Sequence, residues 1–344
     1  MKRKASALTL ILALSSAIIL VQSVNLAVAN PQIGYDPIIT INGDGVIDTA
    51  DTPIVRKGNM YTLGGNITGY SLNVECNNIT VDGAGYAINA YSAFQRITVE
   101  ADGVTVKNFA DAEVGVTGSF NTIAENSLAS VSLAGDNNNV TGNRIGGLID
   151  MQGVYNSIER NIVQGIDVSV SYSIISGNFV SRALFFRGAS SFNTIVGNEI
   201  RDCHVILDKE HNIFYLNNFI NNTFNVNFDP EEDSLTVYSV NVFDNGSVGN
   251  YWSDYSSSDN NHDGIGDLPY GVLVTDVNYN GIGDTLYVLD GVTDRYPLMA
   301  PYDIENNTIV VPIQTEPFPT APVAAATAMV AAAIVLVIYR KRKR

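Results

Sequence analysis

The sequence predicts an all-β solenoid, in which the chain winds into short stacked coils of about 17–20 residues. Three observations predict this class: asparagines recur at near-constant spacing, an apolar residue precedes most of them by three positions, and proline is absent between Pro53 and Pro230. The recurring asparagines are Asn108, Asn126, Asn143, Asn161, Asn178, Asn198 and Asn217. Self-similarity at a short fixed period indicates equivalent units that bury their apolar faces only by stacking on their neighbours.

Each unit has the composition of short strands joined by tight turns. Val, Ile, Ser, Thr, Asn and Gly predominate, and a coil of about 18 residues has room for roughly three strands of three or four residues. A stacked asparagine amide both donates and accepts, so copies one coil apart can form a hydrogen-bonded ladder at the ~4.8 Å strand spacing. An Asn-rich β-sandwich is the alternative, but its strands would not repeat Ile-x-x-Asn in one phase. The apolar residues three positions before the asparagines are Ile123, Val140, Ile158, Ile175, Ile195 and Phe214.

The first residues have the pattern of a secretory signal. A basic start at Lys2, Arg3 and Lys4 is followed by an apolar run and then by a small-x-small cleavage site at residues 27–29. The alternative is an uncleaved anchor. Either way, the sequence predicts an exported chain.

The last residues have the pattern of a membrane anchor. Residues 323–339 carry no charge over a length just sufficient to span a bilayer, and a basic block, 340–344, follows directly. The positive-inside rule keeps that block cytoplasmic and the body extracellular. The alternative is a sorting tail that is cut and replaced by a lipid.

The predicted segments are a signal peptide (1–29), an N-terminal cap (30–75), β-helix coils (76–229), a C-terminal cap with acidic loops (230–300), a Pro-rich stalk (301–322), a single transmembrane helix (323–339) and a basic tail (340–344).

Charge and modification signals agree with an exported body. Between the two ends lie 35 acidic and 11 basic residues, which leave about 24 net negative charges. Such a body repels nucleic acid and attracts cations. Cys76 and Cys203 should lie several coils apart, too far for a disulfide, which needs Cα atoms within about 7 Å. Candidate glycosylation sequons begin at Asn66, Asn78, Asn139, Asn221, Asn245 and Asn306.

Segments that flank the coils resemble a known family. The downstream texts are Gly249-Asn-Tyr-Trp-Ser-Asp-Tyr255, Asp263-Gly-Ile-Gly-Asp-Leu-Pro-Tyr270 and Asp294-Arg-Tyr-Pro-Leu-Met299; the upstream texts are 48–63 and 78–88. With these motifs the chain resembles NosD-like β-helix proteins of the membrane-anchored archaeal type, over about Ile38 to Ala300. The resemblance implies a right-handed parallel β-helix of the carbohydrate-binding or sugar-hydrolase kind. It also implies a link to copper, because the name-giving members help to mature a periplasmic copper enzyme.

The residues themselves do not favour copper. The mature chain has no His-x-His, Cys-x-x-Cys or Met-x-x-Met pair, although copper prefers clustered imidazole and sulfur ligands. Cys203 and His204 are consecutive, so in a strand they would point to opposite faces. Copper is therefore not expected to be a cofactor of this chain.

Three acidic loops are candidate calcium sites. Oxygen ligands at alternate positions followed by Gly can wrap a hard cation, and polar glycine turns are the alternative. The first two loops lack the carboxylate at position 12 of an EF-hand. The candidate ligands are Asp259, Asn261, Asp263 and Asp267 in the first loop, Asp276, Asn278, Asn280 and Asp284 in the second, and Asn42, Asp44, Asp48 and Asp51 in a third.

A candidate catalytic group follows from aligning the coils. Alternation along the strands predicts one outward column of Ser132, Asp150, Asp167, Phe185, Ile206 and Asn227, with Arg187 in the next column. Asp150 and Asp167 would lie about 5 Å apart on adjacent coils. Such a pair of carboxylates is typical of acid/base chemistry on a glycoside. With Arg187 beside it, the pair is also suited to calcium-assisted proton abstraction from a uronic acid. The alternative is a solvated face with one awkward pair of like charges.

These observations lead to one expected function and two rivals. The expected protein is a surface-anchored, non-catalytic module that binds polysaccharide or another envelope glycan and has a calcium-stabilised cap. The first rival is a polysaccharide lyase or glycoside hydrolase that uses Asp150, Asp167 and Arg187. The second rival is a copper-binding maturation factor.

Overall fold

The computed structural model of the chain describes residues 36–90, 96–188, 190–207, 211–225, 241–276 and 287–306. The predicted signal peptide, the transmembrane segment and most of the Pro-rich stalk lie outside these ranges. No helix in the described part of the chain has the length and apolar character needed to cross a membrane. The solenoid lies in the unit Ile38–Arg344.

The regular structure of the described ranges consists of strands. In chain order they are β1 (Ile38–Ile41), β2 (Ile54–Lys57), β3 (Met60–Leu63), β4 (Ile67–Thr68), β5 (Ser71–Val74), β6 (Thr80–Asp82), β7 (Ile88–Asn89), β8 (Ile97–Val99), β9 (Thr105–Lys107), β10 (Glu113–Thr117), β11 (Thr122–Ala124), β12 (Ser127–Leu128), β13 (Ser130–Ala134), β14 (Asn139–Thr141), β15 (Arg144–Val154), β16 (Ser157–Glu159), β17 (Ile162–Ser171), β18 (Ile174–Ser176), β19 (Phe179–Phe186), β20 (Thr194–Val196), β21 (Glu199–Arg201), β22 (His204–Leu207), β23 (Ile213–Tyr215), β24 (Asn218–Ile220), β25 (Thr223–Asn225), β26 (Tyr251–Trp252), β27 (Tyr270–Asp276) and β28 (Tyr287–Asp294).

The strands stack as a right-handed parallel β-solenoid of about nine turns with coils of about 18 residues, which confirms the predicted fold class. One sheet runs in the order β3-β6-β9-β11-β14-β16-β18-β20-β23, and the larger sheet contains β5-β8-β10-β13-β15-β17-β19-β22-β25. We call the outer surface of β10, β13, β15, β17, β19 and β22 the long face. Among the described strands, antiparallel pairs occur only at the two ends, as β2 with β3 and β27 with β28.

The core is a set of apolar columns that run along the solenoid axis. In the first sheet, Val106, Ile123, Val140, Ile158 and Ile175 pair in register from coil to coil, and all are buried. A fully buried Val or Ile side chain contributes roughly 1.5–3 kcal/mol relative to exposure. One such residue per coil therefore makes every coil depend on its neighbours for stability.

A hydrogen-bonded asparagine ladder forms the corner after this sheet. From Asn126 onward, each side-chain amide donates to the carboxamide oxygen of the next member at 2.9–3.0 Å, and the column ends at Asn250. The ladder confirms the predicted stack with one correction. Asn108 is not a member, because the backbone N–H of Phe109 donates to Asn126 instead. Asn108, one residue before Phe109, has a left-handed backbone with φ 57°, and its side-chain amide donates to Asp82.

A second ladder, which the sequence analysis did not identify, lies five residues before the first in every coil up to Asn212. The backbone N–H of each member donates to the side-chain oxygen of the next member at 2.8–3.0 Å. A serine substitutes for asparagine in one coil, so the pattern does not appear as a simple Asn repeat. The members are Asn121, Asn138, Asn156, Ser173, Asn193, Asn212 and Asn241, all buried.

The downstream motifs meet at the C-terminal end of the solenoid. Asp294 is fully buried, and its carboxylate accepts hydrogen bonds from the backbone N–H of Asn250 (2.7 Å), the indole of Trp252 (2.8 Å) and the backbone N–H of Tyr296 (3.0 Å). Burial raises the pKa of Asp294 to about 6, against the effect of these donors. Trp252 stacks on Phe219 with ring centroids 4.5 Å apart. The motifs therefore close the last coil.

Candidate functional site

The predicted column of side chains forms on the long face. Ser132, Asp150, Asp167 and Phe185 are register partners on four consecutive coils. This register confirms the alignment made from the sequence. At the ~4.8 Å spacing of adjacent strands, the two carboxylates lie next to each other. Ser132 and Asp150 are exposed, whereas Asp167 and Phe185 are partly covered.

Arg187 completes the group. Its guanidinium lies 3.6 Å from a carboxylate oxygen of Asp167, and its central carbon lies 4.5 Å from the centre of the Phe185 ring. Partial burial and the neighbouring carboxylate of Asp167 raise the pKa of Asp150 above its ordinary value. The structure thus brings Asp150, Asp167 and Arg187 together, as the sequence predicted, and adds Phe185 as the surface on which Arg187 rests.

The far end of the column differs from the prediction. Ile206 pairs with Phe185 as expected, but it is buried rather than outward-facing. Its own register partner is Asn225, not Asn227, because Val205 pairs with Phe224. The alignment therefore shifts by two residues after β22. A constant coil length cannot predict such a shift where the chain leaves the regular period.

The first acidic loop is closed by its own backbone. The carboxylate of Asp259 accepts from the N–H groups of Asp263 (3.2 Å) and Gly264 (3.0 Å). Asp267 accepts from the hydroxyl of Ser258 at 2.7 Å, and the amide of Asn261 donates to Asp263 at 2.8 Å. The oxygens that were predicted to bind calcium thus fix the loop conformation in this structure.

The second acidic loop lies partly outside the described residues, and the third is closed by its own hydrogen bonds, like the first. Asp276 ends β27, whereas Asn278, Asn280 and Asp284 lie outside the described residues. In the third loop, Asp44 accepts from the N–H of Val46, and Asp48 accepts from Thr40 and Thr49. Asn42 begins this turn, and Asp51 lies beyond it with φ 59°. Within the described ranges, no three His, Cys, Asp or Glu side chains form a group that could hold a metal ion.

Five sequon asparagines, Asn66, Asn78, Asn221, Asn245 and Asn306, are exposed. The sixth, Asn139, lies inside β14 between register partners on both sides, and its side-chain oxygen is buried without a hydrogen-bond partner. A glycan on Asn139 would therefore have to displace part of the stack. The exposed asparagines remain the predicted sites of modification.

The described residues form a cavity that no sequence pattern predicted. It has a volume of about 720 Å³ and lies near the N-terminal coils, where Asp82, Asn108, Glu125 and Arg144 contribute to its lining. Lys107 lies 3.5 Å from the carboxylate of Asp82 and compensates part of its charge. These residues come from four different coils, so no local sequence pattern marks them.

The comparisons with known proteins point to one family. A family model described as "Periplasmic copper-binding protein (NosD)" matches residues 40–257. A probable ABC transporter binding protein NosD from Stutzerimonas stutzeri is 32% identical over 123 residues, which cover 29% of this chain and 26% of the relative. The chain therefore spans about a quarter of that relative's length.

The family description names copper, against the expectation from the sequence, but three of the described residues, Cys203, His204 and Met151, are poorly placed to bind it. Cys203 is buried, and burial raises its pKa to about 12, so the thiol keeps its proton, although the thiolate is the metal ligand. His204 lies beside it on the strand and packs edge-on against Phe185, with ring centroids 5.9 Å apart. Met151 is buried in the core.

Three observations point to the same family: the regular solenoid, the downstream motifs in its last coil and the match to the family model. Because that match covers well over half of the chain, the chain belongs to the NosD family.

Proposed function

We propose that this NosD-family chain is an exported, surface-held module that binds polysaccharide on the long face of its solenoid without altering it. The observation that carries the proposal is the Arg187 group: an aromatic ring, a guanidinium and two carboxylates fixed on rigid neighbouring strands. Sugars are held by ring faces and by a few placed polar groups that fix their orientation. Asp150, Asp167 and Phe185 pair with parallel strands on both sides, and Arg187 directly follows β19, where its N–H donates to the carbonyl of Val168.

The test is binding of the full-length protein to an array of envelope-type glycans. Phe185→Ala should weaken binding of the selected glycan at least about tenfold, the equivalent of about 1.4 kcal/mol. Phe179→Ala is the matched control, since Phe179 is an exposed phenylalanine on the same strand, β19. Absence of any bound glycan for the wild-type protein would contradict the proposal.

A second candidate function, glycan cleavage, is favoured by the raised pKa of Asp150 beside the Arg187-paired Asp167. Two neighbouring carboxyl groups, one of them with a raised pKa, are the arrangement that glycoside hydrolases use. Release of reducing or unsaturated sugar ends by the wild type, abolished in Asp150→Asn, would establish this alternative. Equal release by Asp150→Asn and wild type would exclude this pair as its origin.

A calcium-stabilised cap is part of the same proposal. The supporting observation is that three of the four candidate ligands in the first acidic loop, Asn261, Asp263 and Asp267, are exposed. The loop also lies against the last coil, where the N–H of Met299 donates to the carbonyl of Gly264. A cation that binds only the folded state would stabilise it by about 2.7 kcal/mol at a hundredfold excess over Kd. Millimolar calcium should raise the melting temperature of the wild type and not that of Asp259→Ala/Asp263→Ala. Identical melting of the calcium-loaded and chelated wild type would exclude this role.

Membrane anchoring through residues 323–339 completes the proposal. Its support is the uncharged run followed by five basic residues, together with the periplasmic description of the family. Protease added to intact cells should remove the body and leave a short protected fragment. Protection of the whole body would contradict this orientation.

A further inference from the structure

The corner that follows the long face carries a ridge of exposed aromatic side chains. One residue per coil, just before each of the first six members of the second ladder, adopts the left-handed backbone region with φ between 53° and 64°. L-residues pay a steric penalty there, and bulky residues are unusual, whereas Gly or Asn fits readily. The residues in this column are Phe120, Asn137, Tyr155, Tyr172, Phe192 and His211.

Four of these rings form a continuous stack. Ring centroids lie 5.6 Å apart for Tyr155 and Tyr172, 5.1 Å for Tyr172 and Phe192, and 5.0 Å for Phe192 and His211. These distances are those of offset stacking, which leaves part of each ring uncovered by its neighbour. Tyr155 is 59% exposed and Tyr172 38% exposed. The stack therefore lies on the surface and contributes no side chain to the core columns.

Few charged residues lie next to the ridge in sequence between Tyr155 and Phe192, although the carboxylate of Asp136 accepts the N–H of Val154 at 2.9 Å. The sequence has no charged residue and no histidine over 151–158, 168–181 or 188–198, in a body with about 24 excess negative charges. Hydroxyl and amide side chains that are not fully buried lie at the ends of the strands before the rings and in the loop before Phe192; they are Gln152, Ser169, Ser171 and Ser191. Aromatic rings beside neutral hydrogen-bonding groups favour an uncharged ligand rich in hydroxyl groups.

From these features we infer that the ridge Tyr155–Tyr172–Phe192–His211 binds a neutral polysaccharide chain that runs along the solenoid axis. The apolar C–H faces of pyranose rings would pack on the exposed parts of the aromatic rings, and the flanking hydroxyls would bond the sugar hydroxyls. The inference rests on the proposed function and specifies it. It assigns an uncharged ligand, because an acidic polysaccharide would meet the negatively charged body and none of the four ridge residues is Lys or Arg. It also explains why strained aromatic residues occupy positions that Gly or Asn would fill at lower cost.

The test uses affinity electrophoresis of the full-length protein in gels that contain hydroxyethyl cellulose, galactomannan or polygalacturonate. The double variant Tyr155→Asn/Tyr172→Asn keeps a residue type that already occupies this column at Asn137. The matched control is Tyr70→Asn/Tyr86→Asn, which removes two exposed tyrosines outside the ridge. Circular dichroism verifies that both variants fold. If the double variant does not fold, the single variant Tyr172→Gly replaces it.

At least one neutral polysaccharide should retard the wild type and the control, and polygalacturonate should not. The ridge variant should bind the same polysaccharide at least tenfold more weakly. Equal binding by wild type and ridge variant, or retardation by polygalacturonate alone, would overturn the ridge while leaving polysaccharide binding in place. Absence of binding to all three by the wild type would overturn both this inference and the proposed function.

Discussion

At the scale of the residue, Asn161 shows how this fold satisfies buried polar groups. Its amide nitrogen donates to Asn178 (3.0 Å) and to the carbonyl of Val140 (2.9 Å). Its oxygen accepts from the backbone and side chain of Asn143 at 2.9 and 3.0 Å. This uses the full capacity of a carboxamide at a side chain that is 1% exposed. No other residue type of this size offers the same two donors and acceptor.

Asn161→Leu should therefore destabilise the protein by roughly 1–3 kcal/mol, because it leaves buried donors and acceptors without partners. Asn245→Leu is the comparison: Asn245 is exposed, and water can replace its bonds to the turn at Ser247. Chemical denaturation of both variants measures the difference. Equal stabilities would show that the ladder contributes nothing beyond an ordinary surface turn.

The Asp150 pair gives a prediction about pH. The pKa of Asp150 is raised in the folded state, so the folded protein binds the carboxyl proton of Asp150 more tightly than the unfolded chain does. The stabilisation that results is present at low pH and is lost as pH rises through the folded-state pKa. Asp150→Asn, which cannot ionise, should melt at a higher temperature than wild type at pH 7.

At pH 3, where Asp150 is protonated in both folded and unfolded states, the two proteins should melt close together. Ser132→Asn, in the same column, controls for adding an amide to this face. A difference between Asp150→Asn and wild type that is the same at both pH values would mean that ionisation of Asp150 is not its cause.

The residues show why sequence reasoning located the first ladder and missed the second. The first ladder has Asn in every coil from Asn126, so spacing alone identifies it. Ser173 interrupts the run of asparagines in the second ladder; its hydroxyl oxygen accepts the backbone N–H of Asn156, which several side chains can do. Asn108 has the right spacing but a left-handed backbone, which turns its side chain out of the stack. Backbone conformation, not spacing, therefore decides whether an asparagine belongs to the ladder.

At the scale of the element, strand pairing was predictable wherever the coil length is constant. The column from Ser132 to Phe185 follows from period and alternation, because parallel strands in register repeat both. The prediction fails after β22, where the period changes. The downstream motif was recognisable from its resemblance to the NosD family, but its structural role was not. The residues that meet around Asp294 are more than 40 positions apart in the chain.

The closed C-terminal end depends on a glycine. A Cβ atom on Gly249 would lie 1.8 Å from a carboxylate oxygen of Asp294, which is buried and cannot move away. Gly249→Ala should therefore destabilise the protein by about 3 kcal/mol, the upper part of the range for overpacking. Thermal unfolding measures the loss.

Gly146→Ala is the matched control, because the nearest atom to a Cβ there is 3.8 Å away. It should change stability by less than about 1 kcal/mol, as expected for a glycine without a close neighbour. Similar losses in both variants would show that the contact between Gly249 and Asp294 does not hold the end of the solenoid.

At the scale of the whole molecule, the solenoid places two different surfaces side by side. The long face carries charges that compensate one another around Arg187, and the adjoining corner carries uncharged aromatic rings. Both run along the axis, parallel to a ligand that is itself linear. A stack in which every coil supports the next keeps such a surface rigid over several coils. A rigid, extended surface suits holding a polymer more than converting it.

The central claim is that the protein holds a polysaccharide and leaves it unchanged. The most direct measurement incubates the full-length protein with the polysaccharide that it retards most strongly, elutes the bound fraction and determines its chain length and end groups. The account predicts that the recovered polymer has its original length and no new reducing or unsaturated ends. Shortened chains or new ends that disappear in Asp150→Asn would contradict it and would identify the Asp150–Asp167 pair as a catalytic site.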